Sequence, residues 1–210
     1  MRDGLRVTFG SPLLRPLASC SATMNLCFQA LFAVYLLYVT RTLGVEPSVL
    51  GTILAAGSAA GVAGAALAGR LGARFGIGRT IAGGAILSAA ASVAIPLADG
   101  PQPLLLGTLG VAQALLVFGL PIYNVNAVSL RQAIVPPDLL GRVTASMRFA
   151  VWGAMPLGAA TGGLLGTAIG LRPTMLAASA GMLLVSLFVV GSPVVGLRTL
   201  PEPAAASERA

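Results

Sequence analysis

The chain has 210 residues, of which 56% are hydrophobic and only 9% charged, and it carries a formal net charge of +7. Soluble domains carry about 25% charged residues; a shortfall this large, with a mean hydropathy of +0.91, excludes a water-facing globular fold and implies a surface turned to lipid. All thirteen basic residues are arginines lying between apolar stretches, so membrane topology accounts for them and no nucleic-acid partner is expected. Histidine is absent, which removes the usual general base and the commonest zinc ligand. No catalytic residue, metal or cofactor is expected. Cys20 and Cys27 sit two turns apart on one helical face, too far for a disulfide, and read as small buried residues. Leu17-Ala18-Ser19-Cys20 matches a lipoprotein cleavage box, but Pro12, Arg15 and Pro16 spoil the apolar stretch that should precede it, so no cleavable leader is expected.

A membrane-spanning helix needs about 20 mostly apolar residues. Six stretches qualify: 17–39, 48–69, 80–98, 103–128, 142–169 and 173–193. Prolines mark where helices start or stop: Pro16, Pro47, Pro101, Pro103, Pro136, Pro137 and Pro173. The expected organisation is a cytoplasmic segment 1–16, a six-helix transmembrane domain 17–195 and a disordered cytoplasmic tail 196–210. Arg2, Arg6, Arg15, Arg70, Arg74, Arg79, Arg131, Arg142, Arg148, Arg198 and Arg209 fall on one side of this arrangement, and only Arg41 and Arg172 on the other. Positive charge is retained on the cytoplasmic side, so both termini are expected there, in the cell membrane.

The helices differ in kind. The first carries amides, Asn25 and Gln29. The second is glycine-rich, with Gly51, Gly57, Gly61, Gly64 and Gly69. The third is bland. The fourth again carries amides, Gln113, Asn124 and Asn126; the fifth is again glycine-rich, with Gly153, Gly158, Gly162, Gly163 and Gly166; the sixth is bland. Three helices followed by three of the same kind lie in opposite orientations, the pattern of an inverted repeat. The expected fold is an all-α integral membrane protein of six transmembrane helices in a 3+3 inverted repeat.

An unpaired amide in hydrocarbon costs several kcal/mol. The amides therefore face either a wet cavity or a neighbouring helix. Ser21, Asn25, Phe28 and Phe32 share one face with Gln29 at its edge, and Gln113, Leu120 and Asn124 share another; Asn126 points elsewhere. A polar and aromatic lining of this kind suits an amphipathic organic molecule. On the fifth helix Arg148, Trp152, Met155, Ala159, Gly162 and Gly166 share a face. Arg148 either snorkels to the headgroups or lines the mouth of a cavity. Gly158, Gly162 and Gly166 make a small-residue stripe, and Pro156 permits a bend. The candidate cavity residues are Asn25, Phe28, Gln29, Phe32, Gln113, Asn124, Arg148 and Trp152. No Asp or Glu falls inside a predicted span, so no buried proton relay is expected.

Two stretches carry a family resemblance. Gly69 to Arg79, GRLGARFGIGR, resembles the signature loop of the major facilitator superfamily at Gly69, Arg74, Gly76 and Arg79, with Ala73 where that loop has an aspartate. Gln132 to Val143, QAIVPPDLLGRV, including Gln132, Gly141 and Arg142, resembles the equivalent segment of bacterial drug and siderophore exporters of the enterobactin-exporter type. Taken whole, the chain is similar to the C-terminal half of such a transporter. The resemblance implies that the first and fourth helices line a cavity, that the second and fifth meet the other half, and that the third and sixth support them. It implies efflux of a small amphipathic compound by alternating access, with a small-molecule substrate, the lipid bilayer and a missing N-terminal six-helix half as partners. That half would be encoded in the same gene, on a separate chain, or supplied by a second copy. The alternative is a non-transporting membrane fragment or a helix-packing subunit.

Overall fold

The computed structural model describes residues 10–11 and 13–199, without the side chain of Asp138. Six long helices are present: α1 Leu14–Leu37, prolonged by a π-helical turn Tyr38–Thr42; α2 Pro47–Phe75; α3 Ile77–Leu97; α4 Gln102–Ile134; α5 Pro137–Ala168; and α6 Leu171–Val190. Each is long and apolar enough to cross a membrane. Pro47, Pro101 to Pro103 and Pro136 to Pro137 stand at helix starts, where a missing N–H costs nothing. A four-residue 3₁₀ turn, Pro193–Gly196, follows α6.

Several helices exceed their expected lengths. α2 runs on to Phe75 and α4 to Ile134, and α5 begins at Pro137. The expected loops 70–79 and 131–141 are therefore almost wholly helical. Arginine ends an apolar stretch but not a helix, since its side chain is a good helix former. What breaks the chain between α2 and α3 is Gly76 alone, at φ +91°, and between α5 and α6 it is Gly170, at φ +94°. Side chains other than glycine rarely adopt such angles.

Helix packing bears out the inverted repeat. α1 packs on α5 and α6, α4 packs on α2 and α3, and α3 packs on α6. Exchanging the first three helices for the last three leaves this pattern unchanged. Residue-level echoes agree. The threonine hydroxyl of Thr80 donates to the Gly76 carbonyl at 2.9 Å, and that of Thr174 to the Gly170 carbonyl at 2.8 Å. The same offset in sequence relates Gly76 to Gly170, Thr80 to Thr174, Gly64 to Gly158 and Gly72 to Gly166.

The glycine stripes explain the pairing. Gly57, Gly61, Gly64 and Gly72 of α2 lie against Gln113, Val117, Phe118 and Asn126 of α4. Gly158, Gly162 and Gly166 of α5 lie against Leu26, Ala30 and Val34 of α1. Both contacts advance in the same direction along the two helices, so each pair is parallel. At Gly64 and Gly162 a Cβ would strike a backbone carbonyl, of Phe118 and Ala30 respectively. The stripe of α5 thus serves packing within the bundle.

The bland helices carry polar ties. Ser88 Oγ donates to the Leu116 carbonyl at 3.0 Å, joining α3 to α4. Ser179 Oγ donates to the Ser92 carbonyl at 3.1 Å, joining α6 to α3. At the end of the bundle that holds Arg41 and Arg172, Arg172 Nε and the Tyr38 hydroxyl both donate to the Pro96 carbonyl, at 2.8 and 3.3 Å.

At the arginine-rich end the segment after α6 folds back. The N–H groups of Ile77 and Gly78 donate to the Arg198 and Leu197 carbonyls, at 3.4 and 3.0 Å. First-turn amides have no acceptor within their own helix, so this segment caps α3. A Cβ on Gly78 would collide with the Val194 carbonyl. The start of the expected tail is thus held on the α2–α3 junction. Residues 200–210 and 1–9 of the two expected terminal segments lie outside the described residues, with Arg2, Arg6 and Arg209 among them.

Gly162→Val and Gly163→Val test this packing. Overpacking costs about 1–3 kcal/mol, and a Cβ at Gly162 meets backbone whereas Gly163 has nothing near it. Valine at 162 is expected to sharply reduce folded protein in detergent, read as the monodisperse peak by size exclusion. Valine at 163 is expected to leave that peak unchanged.

Candidate functional site

Near the arginine-rich end, α1, α4 and α5 enclose a cavity of about 260 Å³. α1 contributes Leu17, Ser21 and Asn25; α4 contributes Asn124, Val128, Arg131 and Gln132; α5 contributes Thr144, Met147, Arg148 and Trp152. A second hollow of about 190 Å³, lined by Met24, Phe28, Leu120 and Tyr123, shares Asn25 and Asn124 with the first. The two hollows adjoin at these asparagines.

The spacing of these residues follows from helix geometry. Ser21, Asn25 and Phe28 recur at three and four residues on α1, as do Asn124, Ala127, Val128 and Arg131 on α4, and Thr144, Met147, Arg148 and Val151 on α5. Ser21 Oγ lies 2.7 Å from the Tyr123 hydroxyl, which fixes α1 against α4 at the cavity wall. Asn25 Nδ2 donates to the Ser21 carbonyl of its own helix at 3.1 Å. Arg131 Nη1 donates to Met147 Sδ at 3.3 Å. Above the asparagines Phe28, Phe32 and Tyr35 stack along α1, with ring centroids 6.0 and 6.4 Å apart.

Of the candidate residues, the structure brings Asn25, Asn124, Arg148 and Trp152 to the main cavity and Phe28 to its extension. Trp152 is 66% exposed at the rim. Phe32 is 52% exposed and joins the aromatic stack without lining either hollow. Gln29 lies toward α5, its Cβ against Gly158. Gln113 is placed differently from expectation: it is 7% exposed and packs on Gly57 of α2. Its spacing from Asn124 gives the same face of α4, but α2 covers that face at Gln113 and leaves it open at Asn124. Asn126 is a packing amide, as its direction indicated. It is 3% exposed and donates from Nδ2 to the Ala68 carbonyl of α2 at 3.0 Å.

The motif residues divide as well. Gly69, Arg74 and Arg79 are exposed, with the Arg74 guanidinium 5.5 Å from the centre of the Phe75 ring. Gly76 is buried against Arg198. Gly141 and Arg142 are exposed, and Gln132 lines the cavity. Sequence reasoning missed Arg131, Gln132 and Thr144 as cavity residues. Helical periodicity carried past Val128 would have found the first two.

The six apolar helices and their packing define a multi-pass membrane protein with a polar cavity opening at one end. The sequence profile of the Major Facilitator Superfamily matches residues 17–209, and the chain belongs to that family. Its members are membrane transporters that lie in lipid and bind small molecules. No curated protein matches the chain.

Single cysteines placed in a version lacking Cys20 and Cys27 test the cavity. A charged, water-soluble thiol reagent is expected to label Asn25→Cys and Asn124→Cys in membranes, and to leave Gln113→Cys at least about tenfold slower because burial blocks access. Equal labelling of all three would remove the distinction drawn between them.

Proposed function

We propose that the chain is one six-helix half of a secondary transporter that exports a small amphipathic compound by alternating access, from a cell membrane with both termini cytoplasmic. The cavity between α1, α4 and α5 carries this reading. It presents amides, arginines and aromatic rings together, in a family of transporters. Small-molecule sites typically enclose about 300–1,000 Å³. The two adjoining hollows, of about 260 and 190 Å³, together reach that range, and the likeness to half of a transporter supports a second wall from another six-helix unit. That unit is the rest of the same gene product, a separate chain, or a second copy. The arginine bias favours a topology with both ends inside, and the likeness of Gln132 to Val143 to drug and siderophore exporters supports export over uptake. The substrate wall consists of Asn25, Phe28, Asn124, Gln132, Arg148 and Trp152.

Two measurements test the proposal. Efflux of a panel of amphipathic dyes from cells carrying the protein is expected to fall about tenfold in Asn25→Ala or Asn124→Ala, the scale of one lost polar contact of about 1.4 kcal/mol, at unchanged protein amount. Gln113→Ala is expected to lower protein amount instead. If the asparagine variants change only protein amount, these residues pack helices and the cavity is not a substrate wall. Native mass in detergent, taken from source membranes, is expected to exceed the 21.0 kDa of this chain. A particle of that single mass that still moves the dye would remove the second unit.

A further inference from the structure

Arg131 is the least expected residue in the cavity. By sequence it belongs with the arginines that set topology, whose place is among headgroups and water. α4 instead continues to Ile134 and carries Arg131 inward, onto the face shared with Asn124 and Val128. Its Nε is buried with no hydrogen-bond partner. Its Nη1 donates to the Met147 thioether, a weak acceptor. Arg148 enters the same cavity from α5. No Asp or Glu is among the residues lining it. Of the described carboxylates, Glu46 and Asp99 sit at the opposite end of the bundle. A half-buried guanidinium in a membrane protein needs a charge-assisted partner to offset its lost hydration.

We infer that the paired guanidiniums of Arg131 and Arg148 receive the anionic group of the cargo, so that the substrate is an amphipathic organic anion, a carboxylate or phosphate joined to an apolar or aromatic body. This rests on the substrate-wall reading of the cavity given above. Ser21, Thr144 and Gln132 provide neutral donors around the anion. Trp152 at the rim and Phe28 in the extension provide aromatic faces for the body. An organic cation would meet two like charges and, among the described lining residues, no carboxylate. A neutral compound would leave both guanidiniums without a counter-charge.

Trp152 is the only tryptophan of the chain and lines the cavity, so its emission reports binding directly. The full-length protein in nanodiscs of zwitterionic lipid is titrated with 4-phenylbutyrate, its neutral amide and the corresponding phenylbutylammonium, with excitation where the phenyl ring does not absorb. The carboxylate is expected to bind at least about tenfold tighter than the amide, one charge-assisted contact being of that order, and the ammonium weakest. Arg148→Gln, at an exposed position, is expected to erase most of that preference, lowering carboxylate affinity far more than amide affinity. Arg131→Gln is expected to do the same, and Arg131→Lys to retain the preference; unaltered size-exclusion profiles establish folding. Equal binding of all three probes, or tighter binding of the ammonium, overturns the anion assignment and leaves the cavity standing. Failure of all three to change Trp152 emission removes the cavity reading together with the anion. Repeating the titration with anionic phosphatidylglycerol in the nanodisc separates cargo from lipid. Unchanged affinity supports an organic anion as cargo, whereas competition assigns the arginines to a headgroup and overturns it.

Discussion

The close approach of α5 to α1 and of α2 to α4 is the contact on which the rest of the bundle depends. In lipid there is no hydrophobic force to drive helices together, so cohesion comes from backbone proximity, dispersion and hydrogen bonds. Glycine supplies the proximity. At Gly64 and Gly162 no atom lies between one helix and the carbonyls of its neighbour. Each of these pairs also joins one triple of helices to the other, since α2 belongs to the first and α4 to the second. The two triples are therefore interlocked, and α3 and α6 close the middle through serine hydroxyls. The positions of α1 and α4, and so the cavity between them, are set by glycines that never touch it.

Much of this was legible because it is compositional. Helix number, order and the repeat follow from apolar length and the clustering of glycine. The cavity's lower part was not legible, for a physical reason. A hydropathy criterion stops at the first arginine, while a helix stops only where its backbone can no longer continue. The stretch from Arg131 to Ile134 satisfies the second test and fails the first. Residues assigned to a loop became the cavity floor. Gln113 shows the opposite limit. Its spacing from Asn124 correctly gives a shared face, but spacing carries no information on which helix lies across that face. The glycines of α2 hold that information, and Gly57 opposite Gln113 is where it decides the outcome.

The α2–α3 junction resembles a known signature yet works here through its backbone. Ala73 occupies the position of the signature's aspartate, so no carboxylate there is available to hold the arginines. The chain uses Gly76 and Gly78 instead, which let the segment ending at Arg198 approach closely and accept the first-turn amides of α3. Backbone bonds of this kind are little affected by ionic strength, unlike exposed ion pairs. The junction is thus tied to the end of α6, the helix related to α3 by the internal repeat.

The amides of α1 and α4 separate into two roles through their neighbours. Asn126 satisfies its donor on the Ala68 and Ile122 carbonyls and is closed off from water. Asn124, two residues earlier, projects to the other side of the same helix and is exposed at the groove. Along α2 the contact with α4 stays on one glycine stripe, but along α4 it moves round the helix between Gln113 and Asn126, across Pro121. Proline withdraws a helix hydrogen bond at that point, where α4 changes the face it gives to α2. The same change turns Asn124 and Arg131 away from α2 and toward α1 and α5.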